Sequence, residues 1–200
     1  MAATGFTIPS LEDPHSPWPI AQRLLASHHE LATLNSGLRS EWSIAFVMRY
    51  GDWDRNQRTT LGTCSMPTVS GAHKDLFDWM LERLLGYEPT FLITLNGEWW
   101  ETAGDTRREI LLFHEMLHAG QAHDKCGEPR FHRETGAPIP AIVGHDVEEF
   151  TAVVARYGAW KGDLAEFLQA AGRFTAGVKP EPVREPEPVD ANDPPADAVF

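Results

Sequence analysis

Residues 111–129 read LLFHEMLHAGQAHDKCGEP and hold His114, Glu115, His118 and His123 within ten positions. The H-E-x-x-H spacing is a mechanism as well as a pattern. Each helical residue advances about 100°, so His114 and His118 fall on one face, one turn apart. Two imidazoles placed that way can reach a single zinc ion at ~2.1 Å. Glu115 stands beside them and can take a proton from an attacking water, then deliver it to a leaving amine. The neighbours support a helix: Ile110, Leu111, Phe113 and Leu117 recur at helical spacing, and Asp105 is placed to cap. The helix is expected to run to about Gly120.

A catalytic zinc takes three protein ligands and keeps one position open, so a third ligand is needed. His123 is nearest in sequence. The metzincin spacing H-E-x-x-H-x-x-G-x-x-H needs Gly at 121 and His at 124, where this chain has Gln121 and Asp124. On a continuing helix His123 would stand about 140° from His118 and face elsewhere. His132 lies in the same loop-like stretch and is no better placed. His145, in GHDVEEF, is the stronger candidate. Gly144 lets the chain turn, and His145 is expected to open a helix with Glu148 and Glu149 at i+3 and i+4. Such a carboxylate can accept the second N–H of a ligating imidazole. It can also be the ligand itself, so Glu148 and Glu149 stand as alternatives to His145.

Outward from this stretch, helical and strand patterns alternate. PIAQRLLASHHELATLN (19–35) places Ile20, Leu24, Leu31 and Leu34 near one helical face, with Pro19 suited to the first turn. EWSIAFVMRY (41–50) reads as a buried strand and TTLGTCSMPTV (59–69) as a weaker one, with a hairpin expected between them. HKDLFDWMLERLLGYEP (73–89) is helical, with Leu76, Trp79, Met80 and Leu84 apolar and Gly86 and Pro89 ending it. TFLITLNG (90–97) is a third strand closed by Asn-Gly. QAHDKCGEPRFHRETGAPIPAIVG (121–144) has the Gly, Pro and charge content of a loop. HDVEEFTAVVARYGAW and GDLAEFLQAAGRF read as two closing helices. The expected organisation is an irregular, Pro-rich segment at 1–17, one domain at 18–176, and a disordered acidic, Pro-rich tail at 177–200.

The chain of 200 residues is 42% hydrophobic and 10% aromatic, enough for a core, and carries a formal net charge of -12. That balance disfavours a nucleic-acid surface over the body of the protein, because phosphate contacts need clustered Lys and Arg. Cys64 and Cys126 are the two cysteines and form no C-x-x-C pair, so they read as free thiols in a reducing compartment. The N-terminal residues lack a basic n-region and an apolar run, and no window matches the roughly 18 apolar residues of a membrane span. A cytoplasmic protein is expected.

TTLGTCSMPTV, PTFLITLNGEWW, HEMLHAG and GHDVEEFTAVVARYGAW together resemble the phage metallopeptidase family, a zincin-like group similar in pattern to SprT-like proteases. The resemblance covers roughly residues 42–160. It implies an α+β, minimal zincin-like fold, with a small twisted sheet packed on the motif helix. In SprT-like proteins the third zinc ligand is a histidine opening a downstream helix; carried over, that residue is His145. Asp146 departs from the Gly often found there. The resemblance further implies Zn²⁺ held by His114, His118 and His145, Glu115 as the catalytic base, and a peptide or protein substrate. It implies the host cytoplasm if the protein is phage-encoded. The edge strand of such a sheet would align the substrate; TFLITLN is the candidate for a strand near the site, with a plain core strand as the favoured alternative. The competing reading is a non-catalytic, zinc-stabilised binding module, which would need a fourth ligand from Cys126 or His123 and would leave Glu115 without a task.

Overall fold

The computed structural model describes residues 4–31, 34, 42–55, 58–147, 151–160 and 162–173. The chain divides into two compact units, residues 1–145 and 146–200. The first holds strands β1 (Gly5–Thr7), β2 (Ile44–Tyr50), β3 (Asp54–Arg55), β4 (Arg58–Thr59), β5 (Gly62–Ser65), β6 (Phe91–Asn96), β7 (Ala119–Gln121) and β8 (Pro140–Ile142). Its helices are α1 (Trp18–Ser27), α2 (Lys74–Leu85), α3 (Gly97–Thr102) and α4 (Asp105–Leu117), with a 3₁₀ turn at His29–Leu31. The second unit holds α5 (Thr151–Tyr157) and α6 (Gly162–Arg173). The fold is α+β, as expected.

The main sheet has the order β1-β2-β6-β5. β2 and β6 are parallel, with Phe46 opposite Ile93 and Met48 opposite Leu95, while β1 and β5 join as antiparallel edges. The hairpin expected between EWSIAFVMRY and TTLGTCSMPTV is not formed. β6 inserts between β2 and β5, and the chain reaches it through a long crossover containing α2, as a parallel partner requires. TFLITLN is therefore an interior strand, and β5 is the edge strand on its far side from β2. The N-terminal segment, expected to be irregular, supplies β1 and buries Ser16 and Pro17. The Trp100 indole N–H donates to the His15 carbonyl and fixes that segment to the body.

The core lies between this sheet and the pair α1 and α4. Phe46, Ile93, Leu95, Trp100, Leu112 and Met116 are its fully buried bulk, joined by Ile20, Leu24 and Leu31 from the expected α1 face. Each such apolar side chain contributes about 1.5–3 kcal/mol by leaving water. Asn96 does not close a turn; its side chain accepts from Trp99 N–H and caps α3. Asp105 does not cap α4 either. Gly104 holds the cap position, and Asp105 pairs with the buried Arg108 at 3.6 Å. Arg108 in turn donates to the carbonyls of Trp100 and Glu101, tying α3 to α4.

Two helices bury a different face from the one their apolar residues suggest. α4 turns Arg108, Leu112, Glu115 and Met116 inward and leaves Ile110 and Leu117 exposed. α2 exposes Leu76, Trp79, Met80 and Leu84 and half-buries Phe77, Leu81 and Leu85. Each helix carries more than one apolar stripe, and the pattern alone does not select between them. The second unit follows the expected two helices: α5 ends at Gly158, which has a positive φ of 67° and donates to Val154, and Leu164 of α6 is buried. Residues 177–200, Glu148 and Glu149 lie outside the described residues.

Candidate metal centre

α4 stops sooner than expected. Leu117 is its last helical residue, His118 takes the C-cap position, and Ala119–Gln121 is already strand. The cause is pairing with the chain that returns at β8. Ala119 lies opposite Ile142 and Gln121 opposite Pro140, and the Val143 N–H donates to the His118 carbonyl at 2.8 Å. Gly120 allows this approach, since a Cβ there would meet Val143 Cγ2 at 2.4 Å. The stretch 121–144, expected to be loop, is thus a ribbon with a folded excursion. Ala122 N–H donates to Ile139, Arg130 N–H to Ala122 and Ile139 N–H to Arg130, so three segments of the excursion interlock.

This pairing sets the histidines. His114 sits on the last turn of α4 and His118 at its end, while His145 follows Val143 by two residues in irregular chain. His145 does not open a helix: residues 143–147 are not helical, and the next described helix begins at Thr151. The three imidazoles nevertheless converge. One nitrogen from each of His114, His118 and His145 lies within 4.8 Å of the others, and Nε2 of His145 and His114 are 3.1 Å apart. The His118 Nδ1 lies 2.6 Å from the Val143 carbonyl. A carbonyl only accepts, so Nδ1–H donates to it, which leaves Nε2 as the nitrogen available to a metal. Partial burial, then the nearby His118 and His145, push the His114 pKa below its usual value. A neutral imidazole is what a metal needs.

Glu115 lies against β5, with its carboxylate beside Gly62. It is buried, and burial pushes its carboxyl pKa up, opposed by His118 and by a hydrogen bond from the Cys64 backbone N–H. Leu61 turns its carbonyl to Asn96 N–H of β6, so in the alternation of an antiparallel pair Gly62 and Cys64 face the open side. Gly62 leaves room for the carboxylate, as a Cβ there would fall 2.6 Å from Oε1. Neither Gly62, Cys64 nor the Val143 carbonyl stood out in the sequence. An isolated glycine inside a strand pattern, LGTC, was the available signal.

The other candidates lie apart. His123 forms a bridge with Pro129, and His132 lies in an outer turn bonded to Ala137 and Gly136 through its backbone. Cys126 is exposed in a turn stapled by Asp124 Oδ1, which accepts from the Cys126 and Glu128 N–H groups. Among the described residues, no fourth His, Cys, Asp or Glu joins the three histidines.

The family described as "Putative phage metallopeptidase" matches residues 11–172. The chain belongs to this family. No curated protein and no solved structure matches significantly. The phage metallopeptidase match spans β5, α4, the β7–β8 ribbon and His145, so every group at the site described above lies within it. A metallopeptidase family and a three-histidine cluster together imply a metal ion. Among the described residues no helix is long and apolar enough to cross a membrane.

Proposed function

We propose that the protein is a zinc-dependent endopeptidase of the zincin type, with His114, His118 and His145 as metal ligands and Glu115 as the catalytic base. The observation that carries this reading is the convergence of three imidazoles beside a buried carboxylate at the edge of a sheet. Nitrogen ligands arranged tetrahedrally about zinc stand roughly 3.4 Å apart. The 3.1 Å between His114 and His145 suits that spacing. His114 and His145 are exposed, which leaves a side open to water and substrate. A closed, purely structural site would use a fourth ligand instead.

A bound zinc ion supplies Lewis acidity toward a water and a scissile carbonyl. The chain's own residues supply the rest. Glu115 accepts the proton of the attacking water and returns it to the leaving amine; its raised pKa makes it the stronger base for the first of these transfers. The Cys64 N–H holds the carboxylate in place between turnovers. The peptide lies along the outer edge of β5, where the backbone groups that Glu115 does not take align it without regard to its side chains.

The test is Glu115→Gln. It keeps shape and hydrogen-bonding reach but removes basicity. Zinc content should stay stoichiometric while turnover of a casein or a peptide-library substrate falls by about 10² to 10⁴-fold. Chelator should abolish the wild-type cleavage. Equal cleavage by wild type and Glu115→Gln ends the reading.

A further inference from the structure

We propose that Arg55 and Arg58 form a subsite for an acidic substrate residue about four positions from the scissile bond. The proposal rests on the peptidase reading above. β3 and β4 form a two-residue antiparallel ribbon in which Arg55 lies directly opposite Arg58. Like charges directly opposite one another destabilise a strand pair. A ribbon this short has little pairing energy of its own to offset that. Both arginines are exposed, and neither makes an ion pair or hydrogen bond among the described residues.

A third guanidinium stands at the base of the same arm. Arg49 lies over the Trp53 ring at 4.8 Å and donates to the Asp52 carbonyl, while its Nε is shielded from solvent without an acceptor. In a chain of net charge -12, this stretch sets Arg49, Arg55 and Arg58 against Asp52 and Asp54, a local excess of positive charge. Planar guanidiniums match a carboxylate in bidentate fashion.

The arm is tied to the reaction centre by the chain itself. Thr60 N–H donates to the Trp53 carbonyl and closes the arm, and Asn96 Nδ2 donates to the Thr60 carbonyl at the end of β6. Two residues further on, Gly62 lies against Glu115. From Arg58 to Gly62 the chain reaches at most about 14 Å. An extended peptide on the β5 edge covers that in about four residues. A nucleic acid fits the arm less well: a polyanion needs many cationic contacts, and the rest of the chain repels it. One carboxylate needs only this pair.

The experiment reads binding without turnover. Zinc-loaded full-length Glu115→Gln is titrated by fluorescence anisotropy with labelled peptides identical except for Glu or Gln four residues on either side of the bond that wild type cleaves, or of the peptide centre if none is cleaved. The Glu peptide should bind about tenfold more tightly, the scale of one charge-assisted hydrogen bond. Adding Arg55→Ser and Arg58→Ser should abolish the difference at unchanged zinc content and circular dichroism, and added salt should shrink it. Equal affinity for the two peptides overturns the proposal, as does a preference that survives both substitutions. So does a single-stranded oligonucleotide that outcompetes the Glu peptide and loses affinity with the same substitutions. Absence of cleavage by wild type counts against the peptidase reading alone, and equal affinity for the two peptides with both arginines present counts against the subsite alone.

Discussion

Gly62 and Glu115 share a space that admits no further atom: a Cβ on Gly62 would stand 2.6 Å from Oε1 and 2.9 Å from Cδ of the carboxylate. The obstacle is the free end of a side chain, not backbone, so the fold can survive a methyl group there while the carboxylate cannot stay. Gly62→Ala should keep zinc content and melting temperature close to wild type and lower turnover about 10²-fold, since a displacement near 1 Å is enough to do so. Steady-state kinetics beside metal analysis checks this. Unchanged turnover would mean that Glu115 does not act from its observed position.

Gly120→Ala should act on the metal rather than on the base. The added Cβ meets Val143 Cγ2 at 2.4 Å, and Val143 is both the partner of His118 and two residues from His145. Displacing it disturbs two imidazoles together. Zinc affinity should fall about 10 to 100-fold, the usual effect of disturbing groups that orient ligands. Competition with a chromophoric chelator measures it. An affinity equal to wild type would show that the ribbon does not position the ligands.

The two thiols should separate by pH. Cys126 is exposed. Cys64 is half-buried, and burial, with Glu115 nearby, pushes its thiol up to about 12. The thiolate is the reactive form, so a raised value slows alkylation at every pH below it. Between pH 7 and 9 iodoacetamide should modify Cys126 within minutes and leave Cys64 intact. Denaturant should equalise the two. Mass spectrometry of the peptides decides, and fast labelling of native Cys64 would contradict the burial.

Leu112→Ala and Ile110→Ala test which face of α4 carries the core. Leu112 is fully buried and Ile110 is 63% exposed. The first should destabilise the protein by about 2–5 kcal/mol. The second should stay within roughly 0.5 kcal/mol. Chemical denaturation gives both values, and a reversed order would mean that the helix is rotated from its observed setting.

The helix face illustrates what was legible beforehand. The H-E-x-x-H spacing placed two imidazoles together because helical geometry is local, and local geometry is what a sequence displays. His145 was found for a reason the structure does not share. It was expected to open a helix, yet it arrives through the pairing of Val143 with His118, a contact between residues 25 positions apart. Strand order was misread for the same reason. Nothing in EWSIAFVMRY or TTLGTCSMPTV shows that β6 will come between them, because a parallel partner is chosen by the crossover. Glu115 was identified as a base from its motif, but its burial against Gly62 depends on which apolar stripe of α4 turns inward. That choice is made by the sheet and α1, not by the helix.

The register that brings His145 to His118 is carried by the pairing of residues 118–121 with 140–143. The excursion from Ala122 to Ile139 leaves the ribbon and returns to it at the same place, with its own turns and its own interlocking backbone bonds. Beyond the closing rung, the Gln121 side chain ties the excursion to the ribbon by donating to the Arg130 carbonyl. A longer or shorter excursion that preserves the closing rung between Ala122 and Ile139 and an acceptor for Gln121 would keep the histidines where they are. The protein thus contains a natural grafting point beside its metal centre, where recognition could be rebuilt without touching the chemistry.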